Sequence, residues 1–344
     1  MKTHPLLAAL VVAGAVTASP QTQADQRPLE SLSKANDWIN SPPLAPADLR
    51  GKVVLVDFWT YTCVNWIRTL PYVRAWAAKY KDHGLVVVGV HSPEFEFEKE
   101  GAKVREAAKA LRVDFPIAVD SEHAIWRAYD NEYWPAVYIV DATGKIRYRQ
   151  FGEGDYARAE KAVQQLLAEA GQESVPRGLV AVATEGAEVA ADWDNLRSPE
   201  NYLGSQRTLN FSSRGKVIHH KAHDYALPER LSLNDWALAG NWIIAPDAVQ
   251  LQKPNGRIAY RFHARDVNLV MGANLRGRVV KFRVLVDGKA PDTAHGADVD
   301  TQGFGSVSEP RLYQLIRESE PIVDRLFEIE FLDEGVQAYS FTFG

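Results

Sequence analysis

One cysteine, Cys63, stands in 344 residues. The apolar run VVLVDFW ends at Trp59, the letters TYT follow, and a helical pattern begins at Val64. A thiol at a helix start faces unpaired backbone N–H groups and the positive end of the helix dipole, both of which favour thiolate. Such placement brings a thiol from about 8.5 to roughly 3.5–7.5. Cys63 therefore reads as a nucleophile with a depressed pKa rather than as inert packing. A lone cysteine cannot close an intramolecular disulfide, which excludes a disulfide-stapled scaffold and an internal dithiol switch. Three residues on, Trp66 shares a helix face with Cys63. Asp57, six residues before the cysteine, is a strand carboxylate able to relay protons to a thiol.

Three single-thiol chemistries follow. Cys63 can attack a substrate disulfide and await an external thiol, be oxidised by peroxide to sulfenic acid, or hold clients in stable mixed disulfides. Thr60 gives the Thr-x-x-Cys spacing with which peroxiredoxins position peroxide, but that family has a proline where Val56 stands. Three other groups of residues invite a ligand. His219, His220 and His223 are imidazoles without acidic or thiol neighbours beyond Asp224, and read as a polar loop. Asp298, Asp300, Gln302 and Glu309 fit the calcium-loop spacing except at the fifth position, and an Asp/Gly-rich β-turn explains the same letters. Trp193, Trp236, Trp242 and Tyr260 are either core aromatics or a stacking platform for a ligand such as carbohydrate.

The elements that must position these residues fall into two halves. From residue 53 to 170 buried strand-like runs alternate with helical stretches: strands over 53–59, 85–92 and 116–120, helices to residue 81, over 95–112 and over 122–131. A hairpin over 136–151 and a helix over 155–170, with Asp155 as N-cap, close it. That is an α/β architecture. Beyond residue 198 the period becomes two, as at Ile258, Tyr260 and Phe262 and at Phe327, Ile329 and Phe331, which predicts an antiparallel β-sandwich. The expected division is an export signal over 1–24, an α/β domain over 25–170, a linker over 171–197 and a β-domain over 198–344.

The signal rests on Lys2 and His4 before a 13-residue apolar run, too short for a bilayer, and then small and polar residues. A periplasmic or secreted protein without a lasting membrane anchor is expected. A net charge of −5 argues against a nucleic-acid partner.

The segment LRGKVVLVDFWTYTC resembles the active-site region of thioredoxin-fold proteins of the TlpA/ResA-like group. Pro71 stands eight residues after the cysteine, like the helix proline of that fold, and Trp134-Pro135 before AVYIVDATG matches its cis-proline loop. GVHSPEFEFEK, YWPAVYIVDATG, FGEGDY and FEIEFLDEGVQAYSFTFG are similar to the extracytoplasmic portion of DipZ-type proteins. The resemblance runs from about residue 49 to 344. It implies a thioredoxin fold with a central mixed sheet flanked by helices, then an antiparallel β-sandwich domain of carbohydrate-binding type. It also implies that the export signal replaces the membrane electron-transfer domain of DipZ proper. Asp57 and Thr60 would tune Cys63, while Trp134, Pro135 and Trp66 would bound the substrate groove. The partners would be thiol or disulfide clients and an external reductant, with no cofactor required. The family pattern Cys-x-x-Cys reads Cys63-Val-Asn-Trp66 here, so the usual dithiol cycle cannot be completed within the chain. The competing expectation is a catalytically silent fold that binds extended peptides or glycans.

Overall fold

The computed structural model describes residues 28–274 and 277–344. The expected export signal lies outside them. The first half is a six-stranded mixed sheet in the order β1-β4-β3-β2-β5-β6. Its strands are β1 (Asp37–Ile39), β2 (Val53–Trp59), β3 (Leu85–His91), β4 (Ile117–Val119), β5 (Ala136–Val140) and β6 (Ile146–Phe151). Its helices are α1 (Val64–Tyr80), α2 (Gly101–Ala110), α3 (Ala124–Ala128) and α4 (Tyr156–Glu169). This is a thioredoxin fold. Strand β2 is buried along its whole length, as expected of a central strand covered on both faces. Val53, Leu55 and Trp59 pack with α1 and α4; Val54, Val56 and Phe58 face α3 and the 28–34 segment. The alternation of strand side chains puts Asp57 on the α1 face.

The second half is an antiparallel sheet curled into a sandwich. Its strands are β7 (Asn201–Tyr202), β8 (His223–Tyr225), β9 (Trp236–Ile244), β10 (Val249–Leu251), β11 (Gly256–Phe262), β12 (Asp266–Ala273), β13 (Val280–Val286), β14 (Phe304–Val307), β15 (Arg311–Arg317), β16 (Arg325–Phe331) and β17 (Val336–Phe343). Long β9 takes part in both layers: its later half pairs with β10 on one edge and β8 on the other, and its first half pairs with β11. The alternating Ile258, Tyr260 and Phe262 are all interior.

The halves are packed together. Ala248, Val270, Leu312 and Tyr339 of the second half belong to the same apolar cluster as Trp66, Ile67 and Phe95 of the first. Arg68 of α1, itself buried, pairs with Glu153 at 3.1 Å and donates to the Phe343 carbonyl at 3.4 Å. Between the halves, Arg74 holds Glu188 at 2.5 Å and Arg317 donates to the Gly186 carbonyl at 2.9 Å.

Several local expectations are corrected. The single helix over 95–112 is a tight 3-10 turn, Glu96–Lys99, followed by α2, because Phe95 and Glu98 are drawn into the interior. The helix over 122–131 shrinks to α3. Asp155 precedes α4 in a left-handed conformation and makes no side-chain cap. Trp236, Trp242 and Tyr260 are core residues, while Trp193 is 60% exposed.

Candidate functional site

Cys63 is the cap residue of α1, with an extended backbone (φ −76°, ψ 109°). A turn precedes it, in which the Cys63 N–H donates to the Thr60 carbonyl at 3.3 Å. The residue is half-buried and packs against the apolar cluster beneath α1. The expected depressed pKa is not what this environment gives. Burial pushes the thiol well above its usual range, and the carboxylates of Glu200 and Glu94 push it further; the N–H groups of Trp66 and Asn65 act the other way. The helix start acts in the acidifying direction without closing a side-chain cap on the sulfur, and desolvation and two like charges outweigh it.

Trp66 points into the interior. It is fully buried, stacked on Trp59 with centroids 4.2 Å apart, and its Nε1–H donates to Asp57 Oδ2 at 2.8 Å. Burial raises the Asp57 carboxyl to about 7, with the indole hydrogen bond holding it down in part. The residue at the second-thiol position and the buried acid are thus bonded to each other. Trp59 in turn lies over Gly89, where a Cβ would come within 2.9 Å of the indole nitrogen, so the stack requires glycine there. His91, edge-on to Trp59 at 4.9 Å, is sealed in, and burial pulls its pKa down to about 3.

Pro135 immediately precedes β5, whose Ala136 pairs with Phe58 near the end of β2, so the 134–135 loop and the 60–63 loop share one end of the sheet. The Trp134–Pro135 peptide is cis. Trp134 donates from Nε1 to the Ser92 carbonyl at 3.0 Å and packs on Trp126 with centroids 4.2 Å apart.

Thr60 is fully buried, and its hydroxyl neighbours Glu98 rather than solvent. Glu98 is a site residue that the sequence reading missed. It is completely buried; Thr62 Oγ1 donates to Oε1 at 2.7 Å, and the Glu94 and Phe95 N–H groups donate to Oε2 at 2.7 and 2.9 Å. Glu94 is the second omission. Its Oε1 accepts from Tyr202 Oη at 2.5 Å and pairs with Arg207 at 3.0 Å, and Arg207 stacks on the Tyr202 ring at 3.5 Å. The β-domain therefore supplies Glu200, Tyr202 and Arg207 to the thiol's surroundings. The alternation in PEFEFEK was the available signal: Phe95 and Phe97 pack on Tyr339 across the interface, with centroids 5.1 and 4.9 Å away. Tyr61 and Ile67, on either side of Cys63 in sequence, also line an interdomain cavity of about 350 Å³ with Leu312.

The remaining candidates do not join this site. Asp298 is bound to Arg311 at 2.6 Å and accepts the Gln314 N–H; Asp300 caps the N–H groups of Gln302 and Phe304. The Glu309 carbonyl accepts from Tyr313 Oη at 2.8 Å. His219, His220 and His223 lie at the β8 edge. Among the described residues no three His, Cys, Asp or Glu side chains form a metal-holding group.

Two family models match the chain, a redoxin model over residues 41–167 and a thioredoxin-like C-terminal domain over 198–344. Protein DipZ of Mycobacterium bovis is 36% identical over 327 residues, 92% of this chain but 44% of that protein, so the chain spans under half of its relative. Thiol-disulfide oxidoreductase YkuV of Bacillus subtilis is 35% identical over 144 residues, 42% of this chain and 97% of that protein. A solution structure of a thioredoxin-like protein in the oxidized form is 37% identical, covering 39% of this chain and 90% of its own, with a TM-score of 0.36. With a thiol-disulfide oxidoreductase matched over nearly its full length by the half that carries Cys63, the chain belongs to the thioredoxin-like redoxin family.

Proposed function

We propose that the chain is an exported thioredoxin-family redox protein that works through Cys63 alone. The Cys63 thiolate attacks one sulfur of a client disulfide; that S–S bond breaks, a new one forms to Cys63, and the other client sulfur leaves as thiolate. An external thiol then attacks the mixed disulfide and releases Cys63. The observation that carries this reading is the indole of Trp66 at the second-thiol position, buried and bonded to Asp57, in a chain with no other sulfur nucleophile. Trp134 and Pro135 bound the client groove, and Asp57 and Thr60 shape the thiol's surroundings. Sulfenic-acid chemistry is less favoured, because the Thr60 hydroxyl is turned inward, away from an entering peroxide. The working site is the periplasm or the exterior, after removal of a leader over 1–24. The domains are residues 25–170 and 198–344, joined by 171–197, with a carbohydrate or similar ligand for the second.

Exchange between a small disulfide and excess external thiol tests this. The native chain should accelerate it and Cys63→Ser should not; equal rates would overturn the reading. A second reading is favoured by the raised Cys63 pKa, which leaves little thiolate at neutral pH. In that reading the fold binds extended clients without chemistry, and client affinity would survive Cys63→Ser unchanged.

A further inference from the structure

Glu98 is a fully buried carboxylate, and among the described residues no lysine or arginine pairs with it. An unpaired buried charge is costly, and a leucine would fill the same space without that penalty. What the carboxylate provides is acceptors. One oxygen receives the hydroxyl of Thr62, the residue before Cys63; the other receives the N–H groups of Glu94 and Phe95. Hydrogen bonds to an ionised acceptor are roughly twice as strong as neutral ones. Two loops from different parts of the chain, one carrying the thiol and one carrying Glu94, are therefore joined through a single side chain.

We propose that Glu98 is the positioning residue of the thiol site: its ionised carboxylate fixes the 60–63 loop against the 94–95 backbone and so holds Cys63 against the N–H groups of Asn65 and Trp66. This rests on the single-thiol reading given above. The groups facing Glu98 are Thr60, Tyr61 and Thr62 from the thiol loop, Glu94 from its own segment and Tyr339 from β17. Burial, with a smaller contribution from Glu94, raises its pKa to about 7; the two hydroxyls and the Phe95 N–H hold it down. Protonation removes the charge from all three bonds, so the loop slackens as pH falls through neutrality.

The test is the rate of Cys63 alkylation by iodoacetamide between pH 5.5 and 9. A thiol titrating alone gives a tenfold rise per pH unit below its pKa. The native chain should rise by more than that below about 7 and by tenfold per unit above it, because two protons must leave. Glu98→Gln keeps one acceptor oxygen and loses the titration: the steep limb should vanish, with the rate at pH 8 reduced two- to fivefold. Glu98→Ala should lose at least tenfold at pH 8 while keeping its circular dichroism. A steep limb that survives Glu98→Gln and disappears in Asp57→Asn would overturn the proposal, as would an unchanged rate in Glu98→Ala. If native Cys63 reacts only after unfolding, the single-thiol reading fails. Amide hydrogen exchange then decides the role of Glu98 separately. Glu98→Ala should raise exchange at least tenfold at both 62–66 and 94–95, more than Glu98→Gln does, and unchanged exchange would overturn it.

Discussion

An indole at position 66 does two things a sulfur could not: it fills the space under α1 by stacking on Trp59, and it donates to a carboxyl whose other oxygen has no hydrogen-bond partner among the described residues. Removing the donor while keeping an aromatic ring, as in Trp66→Phe, leaves Asp57 buried and unbonded, at a cost of about 1–3 kcal/mol. The Asp57 pKa should rise further, since the indole holds it down. Asp57 also makes stability depend on pH with an unusual sign. Its folded pKa is about 7 against an ordinary 3.8, so between those values the folded state holds a proton that the unfolded state has lost. Stability from this group is therefore full below about 4, falls by about 1.4 kcal/mol per pH unit toward 7, and is flat above. Asp57→Asn should flatten that fall, which denaturant unfolding at pH 5 and pH 7 measures directly. Asp57, Cys63, Trp66 and Pro135 were all legible in the sequence. Cys63 sits where β2 gives way to α1, a junction that short-range pattern locates, while Asp57 within β2, Trp66 within α1 and Pro135 before β5 were placed by the family motif.

At the scale of elements, the thiol's acidity is a contest between the start of α1 and what is packed above it. The sequence shows the first party only. The helix start was plain from VDFWTYTCVNW, but the carboxylates that oppose it come from residue 94 and residue 200. Glu200 remains partly in water at the rim, so its carboxylate can be changed with little disturbance to packing. Glu200→Gln removes one like charge and should lower the alkylation midpoint of Cys63 toward the ordinary thiol value; an unmoved midpoint would mean that burial and Glu94 set it without Glu200. Glu98 escaped notice for a related reason. Its Lys/Glu-rich surroundings suggest an exposed helix, whereas Phe95 and Phe97 alternate with Glu94, Glu96 and Glu98 in a period of two. Only the presence of Tyr339 and Tyr202 across the interface gives that alternation its meaning.

For the whole molecule, the β-domain is a wall of the thiol site as much as an appendage. Its last strand ends against α1, where Arg68 reaches Glu153 and the Phe343 carbonyl, with both charged groups out of water. Breaking one partner of a buried pair costs about 3–5 kcal/mol. Arg68→Leu should therefore lower the thermal midpoint sharply and loosen the docking of the two halves, seen as faster amide exchange in both α1 and β17. A small change confined to α1 would show that the halves are independent. The overall architecture, α/β followed by a sandwich, followed from the change of period near residue 200. That the halves share one apolar cluster did not, because interface positions such as Phe95 and Tyr339 look like ordinary core positions in a linear reading. The central claim is that Cys63 forms a mixed disulfide which persists because residue 66 offers no second thiol. Its most direct test is the intact mass of the native chain and of Trp66→Cys after a brief exposure to glutathione disulfide at pH 8.5. The account predicts one glutathione adduct on the native chain, stable until an external thiol is added, and a transient adduct on Trp66→Cys that resolves to an internal disulfide. A native chain that takes up no glutathione while folded, yet reacts once unfolded, would contradict it.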